Sequence, residues 1–152
     1  MTDKITNVLV LCTGNSARSV LAEVLINALG DGKWRAFSAG SHPNGAVNPL
    51  TLAVLAEHGH ALEGLRSKSW DEFAVPDAPQ MDLVVTVCDN AAGEMCPIWP
   101  GHPSKVHVGF PDPAAATGTE SERLAVFREI YGQIEAKVRR LIALGPERAG
   151  EV

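Results

Sequence analysis

A chain of 152 residues, 45% of them apolar and 20% charged, has the size and composition of one globular domain, which excludes collagen-like, coiled-coil and disordered chains. Thirteen Lys and Arg against eighteen Asp and Glu leave a formal charge of −5, so a nucleic-acid duplex is repelled and no nucleic-acid partner is expected. No apolar run reaches the roughly 20 residues that cross a bilayer, and Met1-Thr2-Asp3-Lys4-Ile5-Thr6 lacks the pattern of a secretion signal; a cytoplasmic protein with no membrane partner is predicted. Three cysteines, an odd number, then suit free thiols with a chemical task better than a disulfide framework.

Val8-Leu9-Val10-Leu11-Cys12 is the kind of unbroken apolar run found in strands covered on both faces, and it predicts a central strand over 7–12. Val20, Leu21, Val24, Leu25, Ala28 and Leu29 recur at helical spacing and predict a helix over 16–29, stopped by Gly30. A second strand is read at 34–39, a loop rich in glycine and proline from Gly40, and a second helix over 49–59 opened by Pro49. A third strand spans 81–88 and a shorter fourth 105–110. Leu124, Phe127, Ile130, Ile134, Val138 and Leu141 form one stripe of a long final helix, capped by Thr119 or Ser121. Residues 1–145 are read as a single domain and 146–152 as a loose tail. Strands alternating with helices call for a mainly parallel sheet covered on both sides, an α/β fold.

The segment Cys12-Thr13-Gly14-Asn15-Ser16-Ala17-Arg18-Ser19 lies between the first predicted strand and helix, with five residues separating Cys12 from Arg18. A loop of that length can wrap a tetrahedral oxyanion, turning the N–H groups of Thr13, Gly14, Asn15, Ser16 and Ala17 inward while the following helix adds the positive end of its dipole. Arg18 can clamp two oxygens in its planar fork. Gly14 allows a turn that a side chain would hinder, and Asn15 tolerates a left-handed backbone while its amide braces the loop. A cysteine at a helix N-terminus is favoured as thiolate, which casts Cys12 as a nucleophile, with Ser19 a possible hydrogen-bond donor to it. Alone, Asp112-Pro113 reads as a simple turn.

On these residues the chain resembles the low-molecular-weight tyrosine phosphatase superfamily, whose signature is a Cys-x5-Arg loop near the N-terminus of a flavodoxin-like fold. Ser38-Ala39-Gly40, Pro49, Ser67-Lys68 and Asp112-Pro113 extend the likeness over most of the chain. The resemblance implies a three-layer sandwich around a four-stranded parallel sheet, with Asp112 as general acid. A phosphatase needs one thiol, so Cys88 and Cys96 would be surplus; Val87-Cys88-Asp89 through Cys96-Pro97 instead looks like the arsenate reductases that share this fold. That likeness implies a thiol cascade. Cys12 attacks arsenate, Cys88 attacks Cys12 to release arsenite and leave a disulfide, and Cys96 passes the disulfide outward to an external thiol reductant, a thioredoxin or glutaredoxin with glutathione. Phosphate and sulfate would mimic arsenate in the loop.

If 88–96 were a straight helix, eight steps would set the two Cα atoms about 12 Å apart, beyond the roughly 7 Å a disulfide tolerates. The segment is therefore expected to bend during turnover, with Gly93 and Pro97 as its weak points. Thioredoxin-coupled members usually place about six residues between their second and third cysteines, whereas seven stand here, a departure that touches the role of Cys96. Some family members bind potassium near the loop through an asparagine, a glutamate, a serine and an aspartate. Asn15, Glu23 and Ser38 match the first three, but Lys68 stands in the aspartate's place, where an ammonium could replace the cation; no metal and no bound cofactor are expected.

Other readings are weaker. Cys88, Cys96, His102 and His107 could bind zinc, but structural zinc sites space their first two cysteines more closely. His58 and His60 flank Gly59 and read as surface residues. Phosphatase action on phosphotyrosine or small phosphoesters is the chief rival, though Ala114 follows Asp112-Pro113 where the phosphatase branch typically has tyrosine. A noncatalytic anion-binding or redox-sensing module would keep the loop and dispense with Asp112.

Overall fold

The computed structural model describes residues 5–87 and 103–152. Among these residues, seven strands and α-helices follow one another: β1 (Thr6–Cys12), α1 (Arg18–Leu29), β2 (Trp34–Gly40), α2 (Pro49–Glu57), β3 (Leu83–Thr86), β4 (Ser104–His107) and α3 (Glu120–Leu144). The strands form one parallel sheet in the order β2-β1-β3-β4, with Cys12 level with Gly40 and Thr86 level with His107. Helices flank this sheet as the alternating pattern predicts. Val8, Leu9, Val10 and Leu11 are all fully buried, and since successive side chains of a strand point to opposite faces, both faces of β1 are covered.

The helices owe their place to their apolar stripes. Leu21, Leu25 and Ile26 of α1 and Phe127, Ile130, Ile134, Val138 and Leu141 of α3 are buried, and α1 packs against β1, β2 and α3, while α2 also leans on α3. Each of these large side chains contributes about 1.5–3 kcal/mol by leaving water. Thr119 caps α3: its hydroxyl accepts the Glu122 N–H, and the Glu122 carboxylate accepts the Thr119 N–H, a reciprocal box that resolves the choice between Thr119 and Ser121.

Several boundaries differ from the sequence reading. Helix α1 begins at Arg18 rather than residue 16, because the backbone before it is engaged elsewhere, as described below. Helix α2 ends at Glu57, where the N–H groups of His58, Gly59 and His60 fold back on Leu55 and Ala56 carbonyls and Gly59 takes φ 78°. The third strand is shorter than 81–88, and its expected end at Cys88 lies outside the described residues.

The segment after Gly145, expected to be loose, is folded instead. Pro146–Glu151 forms a short 3-10 turn, Ala149 is buried, and Arg140 donates to the Glu151 carbonyl at 2.9 Å. Gly145 at φ 84° makes the reversal that sends these residues back onto the molecule. Composition near a terminus does not reveal such an anchor. No helix among the described residues is long and apolar enough to cross a membrane.

Candidate active site

Strand β1 lies between β2 and β3, so the chain leaves its carboxyl end at the point where the sheet order reverses, the usual crevice for ligands in open parallel sheets. Residues 13–17 occupy that crevice as a loop, and its carbonyls are turned outward. His42 N–H donates to Thr13 O at 2.9 Å, Asn44 N–H to Gly14 O at 3.0 Å and Asn48 N–H to Ser16 O at 3.0 Å. The hydroxyls of Ser67 and Thr51 add bonds of 2.9 Å to Gly14 O and Ser16 O. With several carbonyls held outward, the opposite side of the loop is free to present N–H groups. Gly40 permits this contact: a Cβ there would overlap the Thr13 carbonyl oxygen and stand 3.0 Å from that of Cys12.

Asn15 takes φ 47°, the left-handed conformation expected for it, and is fully buried. Its side chain is used at both ends. The amide Nδ2 donates to Ser19 Oγ at 2.9 Å and to Ser38 Oγ at 3.0 Å, and Oδ1 accepts the Lys68 N–H at 2.9 Å. Ser38 in turn donates to the Glu23 carboxylate, and Lys68 Nζ stands 3.8 Å from the same Glu23 oxygen and 3.3 Å from Arg66 O. Burial pushes the Glu23 carboxyl up, opposed by the Ser38 hydroxyl and the Lys68 charge; burial pushes the Lys68 ammonium down, opposed by Glu23. The four residues thus close a ring behind the loop.

The potassium that the family resemblance suggests finds no fitting donor set here. The fourth position carries the Lys68 ammonium, which has no lone pair to offer and sets a positive charge 3.8 Å from the Glu23 oxygen that would face the ion.

Cys12 is buried, 5% exposed, and lines a pocket of about 400 Å³ together with the loop, His42, Asn44, Asp112 and Ala114. Among the described residues no side chain caps the N-terminus of α1, whose first-turn N–H groups are the kind that bind an anion. Arg18 donates Nη1 to Phe110 O at 3.0 Å and sets Nη2 3.7 Å from Asp112 Oδ2. Its Nε is buried and has no hydrogen-bond partner among the described residues. An orphaned buried donor is costly, and an oxyanion oxygen would satisfy it. Asp112 combines two readings of its Asp-Pro pair: Oδ1 accepts the Ala114 N–H at 3.0 Å in a turn, while Oδ2 faces Arg18 across the pocket.

The structure therefore brings Cys12, Arg18 and Asp112 to one pocket and sets Asn15, Ser19, Glu23, Ser38 and Lys68 behind it. Cys88 and Cys96, with the hinge expected at Gly93 and Pro97, lie outside the described residues, as does the His102 of the zinc alternative. Ser19 is fully buried and accepts from Asn15. His58 and His60, read as surface residues, engage α3: His58 stacks on Tyr131 at 4.0 Å between centroids and His60 Nε2 lies 2.7 Å from its hydroxyl.

Sequence reasoning missed the brace from residues 42–51, the rim positions His42 and Asn44, and the Phe110 carbonyl that steers Arg18. Only the Asn48-Pro49 helix start carried a local signal, the Asn48 side chain accepting the Leu50 N–H.

The sequence profile described as low molecular weight phosphotyrosine protein phosphatase matches residues 7–148. An arsenate reductase of Halalkalibacterium halodurans is 40% identical over 136 residues, covering 89% of this chain and 94% of that protein. The crystal structure of an arsenate reductase from Archaeoglobus fulgidus superposes with a TM-score of 0.70 at 30% identity, over 90% of this chain and 98% of that one. An arsenate reductase solved in a phosphate-binding state superposes with a TM-score of 0.68 at 28% identity, over 91% of this chain and 98% of that one. With the profile matched over residues 7–148 and a relative 40% identical over 89% of the chain, the chain belongs to the low molecular weight phosphotyrosine protein phosphatase family.

Proposed function

We propose that this protein is an arsenate reductase, converting arsenate to arsenite by a cascade of its three thiols. The single observation that carries the reading is the Cys12 thiol in the pocket of a loop whose Arg18 keeps one buried donor without a partner among the described residues. The arsenate reductases among its relatives support the choice of oxyanion. Ala114 at the rim leaves out the aromatic wall of the phosphatase branch, and Cys88 and Cys96 supply the second and third sulfurs.

In this reading the loop N–H groups and Arg18 hold arsenate while the Cys12 thiolate attacks arsenic. Asp112 gives a proton to the departing oxygen, which leaves as water, and a cysteinyl-arsenate results. Cys88 thiolate then attacks the Cys12 sulfur. The S–As bond breaks with its electron pair passing to arsenic, so arsenic falls from the pentavalent to the trivalent state as two thiols become a Cys12–Cys88 disulfide. Cys96 attacks Cys88, frees Cys12, and leaves a Cys88–Cys96 disulfide that an external thioredoxin or glutaredoxin reduces; such a cycle suits the reducing cytoplasm. Asn15, Ser19, Glu23, Ser38 and Lys68 serve by holding the loop, and the enzyme needs no bound cofactor.

The test is arsenate-dependent NADPH oxidation under a thioredoxin system, comparing wild type with Cys12→Ser, Cys88→Ser and Cys96→Ser. Loss with all three supports the full relay. Activity surviving in Cys96→Ser points to direct reduction of the first disulfide, with glutaredoxin and glutathione the next donor to try. Hydrolysis of p-nitrophenyl phosphate undiminished in Cys88→Ser, with no arsenite formed by wild type, overturns the proposal in favour of a phosphatase.

A further inference from the structure

A half-buried ion pair stands behind the loop, and no bond-making step above uses it. Lys68 is only 9% exposed, its Nζ is 3.8 Å from a Glu23 oxygen, and its backbone N–H holds the Asn15 side chain from the other direction. Every hydrogen bond on the far side of the ring runs toward that carboxylate: Asn15 donates to Ser38 and Ser38 donates to Glu23. A partly buried carboxylate gains from a nearby positive charge, and loss of that charge leaves the last acceptor of the chain uncompensated. Arg66, the other cation that acts on Glu23, spends its guanidinium on Glu72 at the surface.

We infer that Lys68 is a positioning residue whose ammonium serves as the resident cation of this ring, holding Asn15 and through it the anion loop in shape, so that the chain has no use for a potassium ion there. The inference rests on the reading of residues 12–18 as an anion cradle. A covalently attached cation cannot dissociate, so loop order in this protein is independent of the monovalent salt around it. The groups facing the pair are Ser38 from β2, Arg66 and Glu72 from the segment after α2, and the groove side of Glu23 opens toward His60 and Glu63.

The experiment measures the melting temperature of the purified full-length protein in potassium and sodium chloride at equal ionic strength, then titrates sulfate as the anion probe. Wild type is expected to melt alike in both salts and to gain stability with sulfate. Lys68→Met is expected to bind sulfate about tenfold or more weakly, since it leaves the Glu23 carboxylate behind the loop without its ionic partner. Lys68→Arg should retain most of the affinity. The double variant Glu23→Gln/Lys68→Met, in which neither charge is left alone, should recover part of it and serves if the single variant fails to fold. A potassium-specific rise in the wild-type melting temperature overturns the inference, as does wild-type sulfate affinity in Lys68→Met, or a double variant no better than a folded single one. None of these readouts involves turnover, so failure here leaves the arsenate reading standing. Conversely, an inactive enzyme that still binds sulfate leaves Lys68 its role.

Discussion

Replacing Gly40 by alanine adds one methyl group at the place where β2 meets the loop. That methyl would overlap the Thr13 carbonyl oxygen, stand 3.0 Å from the Cys12 carbonyl oxygen and 3.1 Å from Asn15 Cβ. The first two are backbone atoms, so no side chain can swing away. Restoring an ordinary contact of about 3.5 Å requires roughly 1 Å of movement between β2 and the loop. Overpacking of this kind costs about 1–3 kcal/mol, which in a domain of this size lowers Tm by roughly 3–10 °C. A shift near 1 Å at a site that must align an oxyanion can cost about a hundredfold in kcat/KM. The control is Gly14→Ala: against the expectation that a side chain there would hinder the turn, Gly14 has no left-handed φ, and its Cβ would meet Asn44 Nδ2 at 2.9 Å, a flexible side-chain end at the rim that can move aside. Thermal melting, sulfate titration and steady-state arsenate reduction on both variants give the comparison. Gly40→Ala with wild-type Tm and kcat/KM, or Gly14→Ala as damaged as Gly40→Ala, would refute the argument that backbone contact at Gly40 shapes the loop.

Arg18→Lys keeps the charge but loses the planar fork and the buried Nε, and is expected to lower kcat/KM by about 10²–10³ with a matching loss of sulfate-induced stabilisation. Phe127→Ala removes a fully buried ring from α3, and denaturant unfolding should register a loss of about 3–5 kcal/mol with the active-site geometry intact. Burial holds His60 below the ordinary histidine range, with the His58 charge adding to the effect. A depressed folded-state value means that its contribution to stability is present above the unfolded value near 6.5 and is lost as pH falls through the lower one. His60→Gln should therefore show a shallower decline in stability on the acid side of pH 6.5 than wild type, and an unchanged pH profile would contradict the burial argument.

Much of the scaffold was legible in the residues. Val8 to Leu11 announced a doubly covered strand because burial on both faces requires an apolar residue at every position. The stripe from Leu124 to Leu141 announced α3 because one face of a long helix must recur at helical spacing. The Cys12 to Arg18 loop was legible for the same local reason: five residues between a strand and a helix can form an anion loop only with particular side chains, and they are adjacent in sequence. The left-handed Asn15 follows from this local chemistry.

What the chain order could not disclose was which distant groups hold that loop in place. Thr13, Gly14 and Ser16 find their partners at His42, Asn44, Asn48, Thr51 and Ser67, while Arg18 meets Phe110 and Asp112 some ninety positions away. The Lys68 ammonium meets Glu23 only because α1 and the segment after α2 converge behind the loop. The anchored tail is of the same kind, since Ala149 and the Glu151 carbonyl look like any terminus until α3 carries Arg140 beside them. Periodicity and turn chemistry act over a few residues and leave a mark in the local sequence. A hydrogen bond between remote residues exists only once the packing of the sheet and helices has brought the donor to the acceptor, so the tertiary fold alone decides it.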